Sequence, residues 1–244
     1  MKDSVLFAAF RYSIPVLLGY IAIGVAFGLV LAGAGYPWWL ALVMSLWMYA
    51  GAGQFIAIGL FAAGTSLWEV VIIQLVVNAR HIAYGLSMLK RFGDTGPFKP
   101  YLVFSLTDET FALLSSLPDN AGPFAGEGER RRRFMFYVAL LNQGYWTAGS
   151  VVGALAGALI TFDMYGIGFA LTALFIVLMI EQIKRVKKPG VFIVSGAAAL
   201  LGVFLLPGTI SLLAALTLAL VLAPLVEGLW KDKALEGGSV DQLK

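Results

Sequence analysis

YSIPVLLGYIAIGVAFGLVLAGAGYPWWLALVMSLWMYAGAGQFIAIGLFAAGTSLW, residues 12–68, contains no Asp, Glu, Lys or Arg. A soluble domain has no use for 57 consecutive uncharged residues. At about 20 apolar residues per membrane-crossing helix, this run has the length of about two crossings of a bilayer. Phe134 to Phe162 and Pro189 to Val226 are two further runs without a charge. The expectation is an all-α fold, a polytopic integral membrane helical bundle of about six to eight transmembrane helices, because lipid tolerates only backbone that satisfies itself.

Composition points the same way. Hydrophobic residues make up 60% of the chain and charged residues 13%, against about 25% charged in soluble domains. The mean hydropathy is +0.87. Once the spanning segments are set aside there is no room for a soluble catalytic domain. The organisation reads as a cytoplasmic lead-in at 1–13, a single transmembrane domain at 14–228 and a cytoplasmic polar tail at 229–244. The apolar run after Arg11 is too long for the core of a cleaved signal peptide. The net charge of +3 is spread over loops that flank membrane segments, so it is not a nucleic-acid footprint. With no cysteine and one histidine, His81, neither disulfides nor a metal site is expected, and no cofactor is called for.

Candidate helices cover residues 14–34, 38–63, 66–89, 98–116, 134–160, 164–182, 191–206 and 209–228. Turn signals separate them: Gly35-Tyr36-Pro37, Gly64-Thr65-Ser66 and Pro207-Gly208. Eight plain crossings with both termini inside leave Lys90, Arg91 and Lys99 outside, against the positive-inside rule. If 38–63 and 98–116 instead enter and leave by one face, as broken or re-entrant helices, every loop Lys and Arg becomes cytoplasmic. Gly51-Ala52-Gly53-Gln54 offers a break in the first. Thr107-Asp108-Glu109-Thr110 offers one in the second, with Thr107 or Asp108 as the cap of a new half-helix. Discontinuous helices of this kind build transporter sites near the midplane. Both counts stand at this point.

Polar residues inside apolar runs are costly, and so they are the candidate site. Gly51, Gly53, Gln54 and Phe55 combine an unwound turn with an amide. Gln74, Asn78 and His81 share one face at i, i+4, i+7, and Arg80 points elsewhere, within snorkelling reach of a membrane surface. Asp108 and Glu109 cannot both lie in hydrocarbon as anions; one can pair with Arg80, cap a half-helix or carry a proton. Asn142 and Trp146 share a stripe with Gly149 and Gly153, and Gln143 is adjacent. The opposing interpretations are ordinary ones: close helix crossings for the glycines, interfacial anchoring for Trp146, a solvated surface helix for the two carboxylates. Enzyme motifs such as H-E-x-x-H, G-x-S-x-G or a nucleotide loop are missing from the sequence.

Gly19-Tyr-Ile-Ala-Ile-Gly-Val-Ala-Phe-Gly28, Tyr49-Ala-Gly-Ala-Gly-Gln-Phe55, Asn78-Ala-Arg-His81, Tyr84-Gly-Leu-Ser87, Thr107-Asp-Glu-Thr-Phe-Ala112, Asn142-Gln-Gly-Tyr-Trp146 and Gly168-Phe-Ala-Leu-Thr-Ala-Leu-Phe175 together resemble the AzlC/YgaZ family. The resemblance extends roughly from Phe7 to Leu222. It implies the large subunit of a bacterial branched-chain amino acid exporter in the cytoplasmic (inner) membrane, acting on leucine, isoleucine and valine, with methionine as a further candidate. It also implies a small AzlD/YgaH-type membrane subunit as partner. It carries no residue roles, which rest on physics alone: Gly51, Gly53, Gln54, Phe55, Asn78, Asn142 and Trp146 for substrate; Arg80, His81, Asp108 and Glu109 for proton coupling or an ion pair. The alternatives are a passive channel or facilitator, which gives no uphill transport, and a non-transporting scaffold, which has no need of these polar groups.

Overall fold

The computed structural model describes residues 4–117, 128–159 and 189–206, with scattered positions between 172 and 222. The chain forms two compact units: Met1–Thr65 with Asn78–Leu171, and Ser66–Val77 with Thr172–Lys244. Among the described residues all regular structure is helical.

The first unit is organised on two long helices, α1 (Val5–Gly33) and α8 (Gly128–Leu159). Helix α1 starts nine residues before its expected beginning at 14, because the Ser4 hydroxyl accepts the Phe7 N–H at 3.2 Å and caps it. Helix α8 starts six residues before 134, so Arg130–Arg133 lie on its first turns. Glu129 pairs there with Arg132 at 2.6 Å and Arg133 at 2.8 Å.

Small residues let the two helices meet backbone to backbone. A Cβ on Gly24 would lie 3.0 Å from the Trp146 carbonyl oxygen, and one on Gly149 would lie 2.9 Å from that of Ile21. At Gly28 and Gly153 the approach is closer still, to the Ser150 and Val25 carbonyls. The small-residue stripes are thus a packing surface.

Three candidate helices are broken. The segment at 38–63 divides into α2 (Trp38–Val43), a π turn (Met44–Met48) and α3 (Gly51–Ala62). The interruption falls on Tyr49 and Ala50, not on the glycines. Tyr49 takes a left-handed conformation, φ 40°, which for a residue with a Cβ costs about 1–2 kcal/mol. Gly51–Gln54 instead form the first turn of α3. The segment at 98–116 divides into α6 (Lys99–Phe104) and α7 (Asp108–Ser115), preceded by a 3-10 turn (Gly93–Phe98). Thr107 caps α7, its hydroxyl accepting the Thr110 N–H at 3.2 Å. The third break was not expected. The segment at 66–89 is interrupted at Ala79, between α4 (Leu67–Asn78) and α5 (Arg80–Met88). Gln74 and Asn78 lie on α4 and His81 on α5, and the backbone at Ala79 keeps a right-handed helical conformation, φ −54° and ψ −28°.

The core of the first unit lies where α1, α5, α6, α7 and α8 converge, around Phe92, Leu102, Leu106, Leu114, Met135 and Val138. The C-terminal carbonyls of α7, which an α-helix leaves unpaired, are taken up from other elements. The Tyr12 hydroxyl donates to Leu113 O at 3.0 Å, and Arg91 donates to Leu114 O at 2.7 Å and Leu117 O at 2.6 Å.

In the second unit, Ser66 and Glu69 form a reciprocal cap on α4, with the Ser66 N–H and hydroxyl donating to the Glu69 carboxylate at 3.2 and 2.8 Å. The unit also contains helix α9, described over Pro189–Leu205.

Large apolar side chains face outward: Leu18, Trp47, Leu75, Ile193 and Phe204 are all exposed. Among the described residues α1 is the helix long and apolar enough to cross a bilayer alone, and α4 with α5 meets that test as a bent pair. At 29 residues, α1 is roughly 44 Å long, more than the roughly 30 Å of a hydrocarbon core. The chain is an all-α membrane protein. The candidate helices at 164–182 and 209–228, the Pro207-Gly208 turn, Asp163, Glu181, the Gly168–Phe175 block, the Gly-rich loop before Arg130 and the tail at 229–244 lie outside the described residues.

Candidate functional site

Two helix starts, those of α3 and α7, lie within the first unit, and Gln54, Thr107 and Thr110 place buried polar side chains at them. At α3, Ala50 precedes the first turn and has no side chain to cap it. Gln54 on that turn is fully buried. Its Oε1 accepts the Trp146 indole N–H at 2.9 Å, and its Nε2 donates to Ser45 Oγ at 3.3 Å. Gly51 leaves room for the Trp146 ring, since a Cβ there would lie 3.3 Å from Cη2. Phe27 links this indole to Phe55: it stacks on Trp146 at 6.2 Å and meets Phe55 edge-on at 5.5 Å. The result is an aromatic wall beside one amide.

The neighbouring amide, Gln143, secures the π turn. Its Nε2 donates to the Leu46 and Ser45 carbonyls at 3.1 and 3.4 Å, and its Oε1 accepts the Tyr101 hydroxyl at 2.7 Å. A π turn displaces carbonyls from their usual partners, and a side-chain amide supplies the replacement here.

At α7 the hydroxyls take over. The Tyr20 hydroxyl lies 2.6 Å from Thr107 Oγ1 and donates to Glu109 Oε2 at 2.7 Å. Thr107 donates to Thr110 Oγ1 at 3.0 Å, and Asn142 Nδ2 donates to the same oxygen at 3.0 Å. Tyr49 brings its hydroxyl against Thr110 and Tyr20. Two buried oxygens in this group, Asn142 Oδ1 and the Tyr49 hydroxyl, have no hydrogen bond of acceptable geometry. A buried oxygen without a partner is uncommon in folded proteins.

Asp108 faces another way. Its Oδ2 is 2.7 Å from Arg80 Nη1 and its Oδ1 accepts the Tyr84 hydroxyl at 2.9 Å. Tyr84 stacks on Phe111 at 4.6 Å and has His81 beside it, ring centres 6.0 Å apart. Of the two outlets considered for Arg80, the ion pair is the one formed. Asn78 stands half-buried at the Ala79 break, two residues before Arg80.

Gln54, Asn142, Trp146, Asp108, Glu109 and Arg80 therefore belong to one unit, in three groups: Gln54 with Trp146, Glu109 with Asn142 through Tyr20, Thr107 and Thr110, and Asp108 with Arg80. The Tyr20 ring, 5.5 Å from that of Trp146, joins the α3 group to the α7 group. Gly53 and Phe55 are buried on α3. Gln74 belongs to the second unit and takes no part in the description of this site.

Tyr20, Tyr49, Tyr84, Thr110 and Ser45 were not anticipated as site residues. Tyr20 was legible in principle: it lies four residues before Gly24, on the face that Phe27, Gly28 and Leu31 continue. Among the described residues no group of three or more His, Cys, Asp or Glu could hold a metal ion.

Comparison with known proteins identifies the family. A family profile described as AzlC protein matches residues 15–160, which include every network residue. A Helicobacter pylori membrane protein is 49% identical over 177 residues, covering 72% of this chain and 75% of its own length. The Bacillus subtilis protein named branched-chain amino acid transport protein AzlC is 36% identical over 193 residues, 77% of this chain and 73% of its own. The Escherichia coli inner membrane protein YgaZ is 28% identical over 225 residues, 90% and 89% of the two chains. No solved structure matches the chain. The chain belongs to the AzlC family, a family of membrane proteins associated with transport rather than with enzymatic chemistry.

Proposed function

We propose that this chain is a secondary transporter that exports branched-chain amino acids from a bacterial cytoplasm, driven by protons. In this reading it is the large subunit of a two-component exporter whose other chain is a small AzlD/YgaH-type membrane subunit, and it crosses the inner membrane several times with both termini cytoplasmic. The observation that carries the proposal is the pairing of two interior helix starts, at α3 and α7, with buried polar side chains of the same unit. The name of the Bacillus subtilis relative supports the substrate class.

A zwitterion with an aliphatic tail needs three kinds of contact. Its carboxylate suits the first turn of α3, where a helix presents N–H groups and its positive end, with Asn78 in the same unit. Its aliphatic side chain suits the wall of Trp146, Phe27 and Phe55. Burying a leucine side chain contributes about 1.5–3 kcal/mol, enough to prefer aliphatic solutes but too little to separate Leu, Ile, Val and Met sharply. The carboxylates at the start of α7 supply acceptors for the ammonium or carry the coupling proton, with His81 as a further relay and Arg80 as the partner that holds Asp108.

The test is accumulation of labelled leucine in inverted membrane vesicles from cells carrying the chain with its small partner subunit. Uphill uptake that collapses with the pH gradient is expected. Uptake that only equilibrates identifies a passive facilitator, and no uptake of any branched-chain amino acid overturns the reading.

A further inference from the structure

We infer that Glu109, Asn142 Oδ1 and the Tyr49 hydroxyl form a subsite for a small monovalent cationic group, either an inorganic cation such as Na+ or the α-ammonium of an amino acid. The second source rests on the transport reading above; the first does not.

The two adjacent carboxylates of α7 have unequal surroundings. Asp108 is matched in charge by Arg80 at 2.7 Å and further held by Tyr84. Glu109 has no Lys, Arg or His partner among the described residues; its Oε2 receives a neutral phenol, Tyr20, at 2.7 Å. The first turn of α7 stabilises a negative charge there, but it does not cancel it.

Two buried oxygens of the group around Glu109 make no hydrogen bond of acceptable geometry. Asn142 is fully buried, and its Oδ1 receives no donor; Tyr49 is 2% exposed, and its hydroxyl, though close to Thr110 and Tyr20, makes no hydrogen bond of acceptable geometry. Both residues face the same threonine: Asn142 through its 3.0 Å bond to Thr110 Oγ1, Tyr49 by lying against Thr110 and Tyr20. Thr107 Oγ1, 2.6 Å from the Tyr20 hydroxyl, closes the group.

The chemistry of this set selects its ligand. An anion is repelled by Glu109. A water molecule satisfies orphan oxygens but leaves the carboxylate charge uncompensated. All the available atoms are oxygens with a single carboxylate, which suits a hard cation of unit charge better than a divalent ion or a transition metal. An ammonium group needs three acceptors, and a carboxylate, an amide oxygen and a phenol oxygen supply them.

Isothermal titration and thermal unfolding of the purified full chain in choline buffer separate the sources. The probes are NaCl, 3-methylbutylamine (a leucine side chain and ammonium without the carboxylate) and 4-methylpentanoate (the same side chain without the ammonium). Saturable binding of Na+ alone assigns the inorganic cation, and binding of the amine alone assigns the ammonium. In either case Glu109→Gln and Asn142→Leu weaken binding by about tenfold or more, as loss of a hydrogen bond to a charged group does. Tyr49→Phe, which removes one oxygen and keeps the ring, guards against variants that fail to fold, and it weakens the same binding severalfold.

Binding of neither cation overturns the inference, as does binding that survives all three substitutions unchanged. Leucine transport without cation binding rejects the subsite alone. Saturable Na+ binding that depends on Glu109, in a chain that moves no amino acid, rejects the transport reading alone.

Discussion

Trp146 donates its indole N–H to Gln54 Oε1 across 2.9 Å and so fastens the middle of α8 to the first turn of α3. Both groups are buried, and Gln54 has one further side-chain bond, to Ser45 at 3.3 Å. Trp146→Phe keeps an aromatic ring against Phe27 and leaves Gln54 Oε1 without a donor. The expected loss is about 1–3 kcal/mol of stability, the cost of stranding a buried acceptor. Thermal unfolding in detergent measures it. Adding Gln54→Met removes the stranded group, so the double variant should regain much of the stability while leucine transport stays low. A double variant no more stable than the single one would show that the bond is incidental.

Arg80 and Asp108 are mutually dependent. Their side chains retain 35% and 23% exposure, so solvent screens part of the interaction. Asp108→Asn or Arg80→Gln alone should each cost about 1–3 kcal/mol, less than the 3–5 kcal/mol of a fully buried pair. The combined variant should cost clearly less than the sum. A double-mutant cycle on membrane-inserted protein reads the coupling directly, and strict additivity would mean that the two groups do not stabilise each other.

Backbone contact between α1 and α8 makes the glycines of that interface unequal to others. Gly153→Val should abolish accumulation of folded protein, because even a methyl group there overlaps the Val25 backbone. Gly19→Ala, where nothing lies within 4 Å, should change stability by no more than a few tenths of a kcal/mol or raise it slightly. Immunodetection in membranes, with unfolding of whatever accumulates, distinguishes the two. Equal behaviour of the two variants would contradict the packing described here.

The broken segments bear on topology. Interruptions at Tyr49-Ala50 and at Ser105–Thr107 divide residues 38–63 and 98–116 into shorter helices, the breaks that a re-entrant topology requires. A reporter fused after Lys99 should then read as cytoplasmic, in keeping with the positive-inside rule. A periplasmic signal would restore eight plain crossings.

How much of this was readable beforehand depended on the kind of signal. Charge-free length reported the fold class, because the cost of a charge in lipid leaves its mark on every residue of a span. Carboxylates and amides are visible for the same reason: Gln54, Asn142 and Asp108 stand out through their cost, and an Asp108–Arg80 pair is one of the options the sequence leaves open, whereas the bond from Trp146 to Gln54 is not legible there. Thr107 as a cap was legible from the Thr-Asp-Glu start of α7. Tyr20, Tyr49 and Tyr84 were not, since a phenol in an apolar run has the composition of an ordinary core aromatic. The break at Ala79 left no glycine or proline to announce it. The break falls at Tyr49, two residues before Gly51, and Gly51 makes room for an indole instead.

Along α1 and α8 the peptide groups themselves are in touch, with no layer of side chains between them to act as bearings. Sliding one rod along the other would drive carbonyl against carbonyl at each step. Whatever shape change accompanies a working cycle must leave this pair fixed as a mast. The motion then falls to the short rods that begin at the interruptions, which are joined to the mast by a handful of polar ties that can be released one at a time.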